Sequence, residues 1–352
     1  MSSASKSPRR VLQTALLVGQ LSLPRYAHRF SPKKFTQPQL FACLVLKEFL
    51  QLDYRKLAAL LVDCRDLCAT IDLDVVPHFT TFQKAAQRLL LAPHAQKLLD
   101  KTIRLAQATG RVKSRVPLAA GDGSGWEAHH VSHYYVNRRA SCSKYWQKTT
   151  YARFPKAGVL CDCASHLILA IVPGRGPGPD IKHFRALLDQ ALRRVSIDTA
   201  AFDAGYDAEH AHQYARGERG VRTLIPATIG RPTAKRLKGY WRQQMRSRLH
   251  LTRYGQRWQI ETVNSMFKRL QGSALRARNY GTQFRETILR AITHNVMILR
   301  RIWVFYGARM SPFLSAFLSE RRSRMPLGRF SEVRCILIAR IPIASRWPRC
   351  HC

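Results

Sequence analysis

The chain has 352 residues, 46% of them apolar, which is enough for a sizeable core and excludes a disordered polypeptide. Lys and Arg number 59 against 21 Asp and Glu, a formal net charge of +38, so self-repulsion calls for a polyanionic partner, and nucleic acid is the expected one. No apolar run approaches the ~18 residues of a membrane span, and the basic N-terminus lacks the apolar stretch of a signal peptide, so a cytoplasmic protein with no membrane partner is expected.

Residues 1–35 carry Lys6, Arg9, Arg10, Arg25, Arg29, Lys33 and Lys34 among Pro and Ser, and read as a basic N-terminal arm. From Gln39 the period becomes helical, with Phe41, Leu44, Val45, Phe49 and Leu52 at three-to-four spacing. A second helix is predicted over Tyr54–Val62, with Leu57, Leu60 and Leu61 inward. A third is capped by Thr80 or Thr81 and runs to Leu91, and a fourth follows Pro93 to about Ala108. Residues 36–112 thus form a small all-helical domain. Its third helix turns Lys84, Gln87 and Arg88 outward, as a DNA-reading helix would, so Lys84 and Arg88 are candidate DNA contacts. A plain bundle packed on the next domain fits the same pattern.

After Pro117 the texture changes to strands. Leu118–Ala120 is a short apolar run ending at Gly121-Asp122-Gly123. Ala157–Cys161 and Leu167–Val172 read as a hairpin around the turn Asp162–His166. The loop Pro173–Pro179 is Gly-rich but lacks the Gly-Lys-Ser/Thr ending of a phosphate loop. A helix over Ile181–Arg194 presents Phe184, Leu187, Leu188 and Leu192 on one face. Ile197–Phe202 is a strand that ends at Asp203, and Arg222–Pro226 is another. Residues 228–253 form a basic insertion without clear period. One helix then starts near Tyr254 and another runs from about Gln283 to Trp303. The alternation predicts an α/β domain with a mixed sheet over 113–305, followed by a basic tail over 306–352. The nine cysteines include no Cys-x-x-Cys pair and read as reduced thiols. A zinc site from Cys161, Cys163 and His129, His130 or His133 is the weaker alternative.

Carboxylates are scarce in this chain, so Asp122 and Asp203 at strand ends stand out. Phosphodiester cleavage by two divalent ions about 4 Å apart needs only a few hard oxygen ligands. A third acid comes from the helix near Tyr254. At 100° per residue Tyr254, Arg257, Glu261 and Lys268 fall at about 0°, −60°, −20° and −40°, one stripe opposite Ile260, Val263, Phe267 and Leu270. An ordinary solvated Arg–Glu pair fits that stripe too. Among the rival acids, Glu127 lies five residues past Asp122, beyond the strand end, Asp162 fits a hairpin turn, and Asp180 and Asp207 read as caps of the helices that follow them. Trp126, Trp146 and Trp258 suit either base stacking or core packing.

Tyr254-x2-Arg257-x3-Glu261-x6-Lys268 resembles the signature of bacterial insertion-sequence DDE transposases. The segments Ala201–Asp207 and Ala120–Gly125 resemble the surroundings of that family's two aspartates, and His294-Asn295 resembles part of its C-terminal helix. The likeness covers roughly residues 40 to 305. It implies a ribonuclease-H-like catalytic domain with Asp122, Asp203 and Glu261 as catalytic, metal-binding residues for two Mg²⁺ or Mn²⁺ ions. It also implies that Tyr254, Arg257 and Lys268 contact terminal DNA phosphates, Arg by two-pronged bonds and Lys as a point charge. The implied partners are double-stranded DNA, both element ends and target, and a second copy of the chain in an end-paired homodimer at the bacterial nucleoid. The alternative is a catalytically inactive, transposase-derived DNA-binding protein, for which the tail beyond the resemblance speaks.

Overall fold

The structure is a computed structural model, and it describes residues 6–128, 154–228 and 237–299. Six helices precede the first strand: α1 (Pro8–Ser22), α2 (Gln37–Phe49), α3 (Tyr54–Asp63), α4 (Arg65–Ala69), α5 (Phe79–Leu89) and α6 (Ala92–Ala108). Local chemistry sets several starts. Ser7 accepts a hydrogen bond from the Arg10 amide ahead of α1, Thr36 and Gln39 form a capping box at α2, and Asp53 accepts from Lys56 at α3. His78, not Thr80 or Thr81, occupies the cap position of α5. Helix α1 lies inside the segment read as a basic arm. Its Val11, Leu12, Ala15 and Val18 are fully buried, and the helix packs on α2 and α6. Its arginine, glutamine and threonine residues masked a short apolar face that α2 and α6 complete.

Two short strands flank the main sheet. β1 (Arg115–Val116) pairs in parallel with β6 (Ser196–Ile197), and β3 (Glu127–Ala128) pairs with β9 (Ala274–Leu275). The main sheet has five strands: β2 (Ala119–Gly125), β4 (Phe154–Asp162), β5 (Ile168–Gly176), β7 (Thr199–Phe202) and β8 (Arg222–Leu224). Their order is β5-β4-β2-β7-β8, with β5, β4 and β2 antiparallel and β2, β7 and β8 parallel. The hairpin turn is as expected: Asp162 accepts from the amides of Ala164 and Ser165. β2 runs past the expected stop, because β4 pairs with it as far as Gly125 opposite Lys156, whereas β7 leaves it after Gly121 opposite Phe202. Glycines carry no apolar signal, so this extension is invisible to periodicity.

Helix α7 (Ile181–Leu192) covers the face of the sheet that bears Gly121 and Gly123. Its Phe184, Leu187 and Leu188 are buried, and Phe184, Phe202 and Tyr206 form a ring cluster with centroids 4.7 to 6.4 Å apart. A Cβ on Gly121 would stand 2.1 Å from the Phe202 ring, so this close approach requires glycine. After β7, a 3₁₀ turn at Ala204–Tyr206 leads to α8 (Glu209–Gln213). Within the basic insertion, Tyr240–Arg248 is helix α9. Asp207 anchors it. Instead of capping a helix, Asp207 accepts from Arg242 at 2.6 and 2.8 Å and from the amide and hydroxyl of Thr228. Glu209 accepts from the Trp241 and Arg242 amides.

The predicted helix at Tyr254 begins instead as a 3₁₀ turn, Arg253–Arg257, and continues as α10 (Trp258–Gln271). The last described helix is α11 (Tyr280–Leu299). It packs on α2 and α6 as well as on β5 and β4, and so joins the helical layer to the sheet. The described residues belong to one compact unit. His129, His130, His133, Trp146, part of the insertion and the tail 306–352 lie outside the described residues. Cys161 is buried and Cys163 half-buried; both are free thiols, and burial pushes both up, Cys163 to about 12.

Candidate active site

Asp122 and Asp203 meet because of strand register. Gly121 and Phe202 are the last paired residues of the parallel strands β2 and β7, so the next residue on each strand is an aspartate. Side chains alternate along β2, so Asp122 faces away from α7 and toward α10, which packs across that side of the strand. The carboxyl ends of parallel strands are where α/β sheets carry their ligand sites.

Each aspartate is held by local donors. One Asp122 oxygen accepts from the Gly123 amide at 2.8 Å, and the other accepts from Asn264 Nδ2 on α10 at 3.0 Å. Asp203 accepts from the Gly205 amide at 3.1 Å, which starts the 3₁₀ turn. Burial and the charge of Asp203 push the Asp122 carboxyl up to about 6. Burial and the charge of Asp180 raise Asp203 as well.

Asp180 was expected as a helix cap. It stands at that position of α7 but caps no amide with its side chain. It pairs instead with Lys156 of β4 at 2.7 Å and lies directly over Gly123, where a Cβ would come within 2.0 Å of its oxygen. Asp180 is thus a further carboxylate next to Asp122, on the other side of the strand. Beside these acids, the Tyr206 hydroxyl is buried without a hydrogen-bond partner, and burial and the charges of Asp180, Asp122 and Asp203 push the phenol up.

Glu261 lies in the first turn of α10, on its exposed side, and pairs with Arg257 at 2.5 Å across four residues. Its side chain is 59% exposed. The Arg257 charge also reaches Asp122 and Asp203, holding both down in part, so it is the counter-charge shared by all three acids. Tyr254 is hydrogen-bonded to Arg257 and packs against the cluster of Leu118, Ala201, Leu224 and Met245. The 3₁₀ turn brings the two together, since residues three apart eclipse in that geometry. On α10 the expected inward residues Ile260, Val263 and Phe267 are buried, and Leu270 is partly buried. Lys268 is half-buried, and Lys84 and Arg88 are exposed on α5, remote in sequence from the acids. Trp126 is core, packed on Phe267 at 5.8 Å, whereas Trp258 is 53% exposed beside Arg257.

The donor set suits a hard divalent cation at Asp122 and Asp203: half-buried carboxylate oxygens. Among the described residues, no three His, Cys, Asp or Glu side chains are gathered at ligand spacing, and Glu261 is turned to Arg257. Asn264 was missed from the sequence, although it lies one turn beyond Glu261 on the same side of α10.

A profile of the transposase DDE domain matches residues 117–296, just over half of the chain. The chain belongs to this transposase family. The match opens just before β2 and closes within α11, so it contains Asp122, Asp203, Glu261 and the helices that carry or cover them. No curated protein matches the chain. No helix among the described residues is long and apolar enough to cross a membrane.

Proposed function

We propose that this transposase-family chain cuts DNA at the ends of its own element and joins the freed ends to target DNA, with Asp122, Asp203 and Glu261 as its catalytic acids. The observation that carries the reading is the register of β2 and β7, which sets two aspartates side by side at the carboxyl ends of parallel strands. Mg²⁺ or Mn²⁺, two ions in this reading, would be held by Asp122 and Asp203, with Glu261 completing the set. Bound there, the ions would activate the attacking water or hydroxyl and stabilise the leaving oxygen.

The remaining roles belong to the chain's own side chains. Glu261 joins the aspartates by giving up Arg257, whose guanidinium is then free to grip a phosphate with two parallel bonds. Tyr254 steers Arg257, and Lys268, farther along the same stripe of α10, adds a point charge for the backbone of the DNA end. Lys84 and Arg88 supply contacts on α5, in a helical domain of residues 36–112. A ribonuclease-H-like catalytic domain over 113–305 accords with the mixed sheet. Joining two ends asks for two copies, so the working form is a homodimer on double-stranded DNA, at the nucleoid.

A second reading, a transposase-derived protein that binds ends without cutting them, draws on the Arg257–Glu261 pair, which engages the carboxylate of the third acid. Mg²⁺-dependent nicking of DNA carrying the element's ends decides between them. The wild type nicks, and Asp122→Ala, Asp203→Ala and Glu261→Gln each lose about a thousandfold in rate while still binding the ends, since several kcal/mol of charge stabilisation are removed. Wild-type rate in Glu261→Gln would remove Glu261 from the site, and a wild type that binds without nicking would establish the second reading.

A further inference from the structure

We infer that Asn264 is a positioning residue that fixes the Asp122 carboxylate and ties the helix of Glu261 to the central strand. The inference rests on the reading of Asp122 as a cation-holding acid. Asn264 Nδ2 donates to one Asp122 oxygen at 3.0 Å while the Gly123 amide donates to the other at 2.8 Å. With a donor on each oxygen the carboxylate cannot rotate, and the remaining lone pairs keep a set direction. The chemistry of the side chain matters. An amide donates without bringing positive charge, so it orients the carboxylate without competing with a cation. A Lys or Arg here would neutralise the acid, and an aliphatic residue would leave it free to turn.

The same bond sets the third acid. Glu261 and Asn264 are three residues apart on α10, which places their Cβ atoms roughly 5–6 Å apart. Pinning Asn264 to Asp122 therefore holds the Glu261 backbone one helical turn from the residue that touches Asp122, whichever partner its own carboxylate takes. The bond is not the only hold on α10: Phe267 packs on Trp126 at 5.8 Å and stacks on His294 of α11 at 5.7 Å. Losing the Asn264 amide is thus separable from losing the helix.

The test uses the full chain as Asn264→Leu, Asn264→Ala and Asp122→Asn, with Ala as the helix-favouring variant should Leu disturb packing. Mn²⁺ binding is read from the electron paramagnetic resonance signal of the free ion, alongside thermal melting, end binding in EDTA and Mn²⁺-dependent nicking. Outer partners of metal ligands are worth about 10- to 100-fold in metal affinity, and a weakening of that size is expected for both Asn264 variants. The Mn²⁺ concentration for half-maximal nicking should rise in step, with melting and end binding unchanged. If Asn264→Ala binds Mn²⁺ as tightly as wild type while Asp122→Asn does not, the role of Asn264 is overturned and the acid reading stands. If Asp122→Asn keeps wild-type Mn²⁺ affinity, both fall together.

Discussion

Helices α10 and α11 both carry polar residues in an apolar frame, yet they use them in opposite ways. On α11 the polar groups are inside: Arg290 is 2% exposed, His294 1% and Asn295 0%. Their hydrogen bonds are spent on the protein's own backbone. Arg290 donates to the carbonyls of Gly272 and Ala274 and pairs with Glu286 and Glu48, and Glu286 accepts from the amides of Arg276 and Ala277. Asn295 donates to Ile168 O and Thr102 and accepts from the Ile168 amide, so it serves the edge strand β5 much as another strand would. His294 meets the His166 carbonyl, and burial lowers it to about 4, so it is neutral at ordinary pH. On α10, Glu261 instead turns its carboxylate to the Arg257 guanidinium, and Asn264 donates to Asp122 on the central strand. The contrast teaches that polarity in a helix marks a site only when the backbone does not already claim it.

The largest effect expected from breaking this contrast is on α11. Arg290→Met leaves buried Glu48 with Lys47 alone and buried Glu286 with only the Arg276 and Ala277 amides, and should cost about 3–5 kcal/mol in urea denaturation, whereas Glu261→Gln should stay within about 0.5 kcal/mol of wild type while losing nicking. A stable Arg290→Met would show that the buried network is dispensable, and an unstable Glu261→Gln would make that acid structural.

A smaller effect follows from the raised Asp122. Between its ordinary value of 3.8 and about 6, the folded, metal-free chain holds a proton that the unfolded chain releases. The contribution to stability is therefore full below 3.8 and lost as pH rises through about 6. Melting temperature in EDTA should carry this downward slope in wild type and lack it in Asp122→Asn. Stabilisation by added Mn²⁺ should run the other way, appearing as pH rises above that window, because the proton and the cation compete for one carboxylate. Equal slopes in the two proteins would separate Asp122 from the effect.

The smallest change concerns the exposed bases of α5. Lys84→Ala with Arg88→Ala should weaken end binding and reduce the slope of log affinity against log salt by about 1.8, the equivalent of two phosphate contacts. An unchanged slope would assign α5 to the surface of the bundle and leave DNA contact to α10.

Much of the helical layout was legible because one-sided burial writes a 3.6-residue period: α2, α3, α5, α6 and α7 fall close to where their apolar spacing put them. The hairpin β4–β5 and the end of β7 before Asp203 were legible by alternation and turn chemistry, whereas the stop expected at Asp122 was not, since β2 runs on to Gly125. Helix α1 was not, since its dense basic flanks outweighed a face that is buried by α2 and α6. The 3₁₀ start of α10 escaped because none of its five residues is buried, so no inward face records the change of helix type. Asp207 and Asp180 were read as caps from the chain alone, but their partners, Arg242 and Lys156, come from elements that sequence distance does not bring near.

The sequence by itself determined the periods, the turns and which few carboxylates stand at strand ends, because these depend on neighbours within a turn or two of the chain. Only the tertiary structure decided that Asp122 and Asp203 are the next residues after one paired position, that Asn264 reaches across to Asp122, and that Glu261 rests on Arg257. Strand register and helix docking are long-range choices, fixed by packing of the whole core, and no local pattern of residues records them.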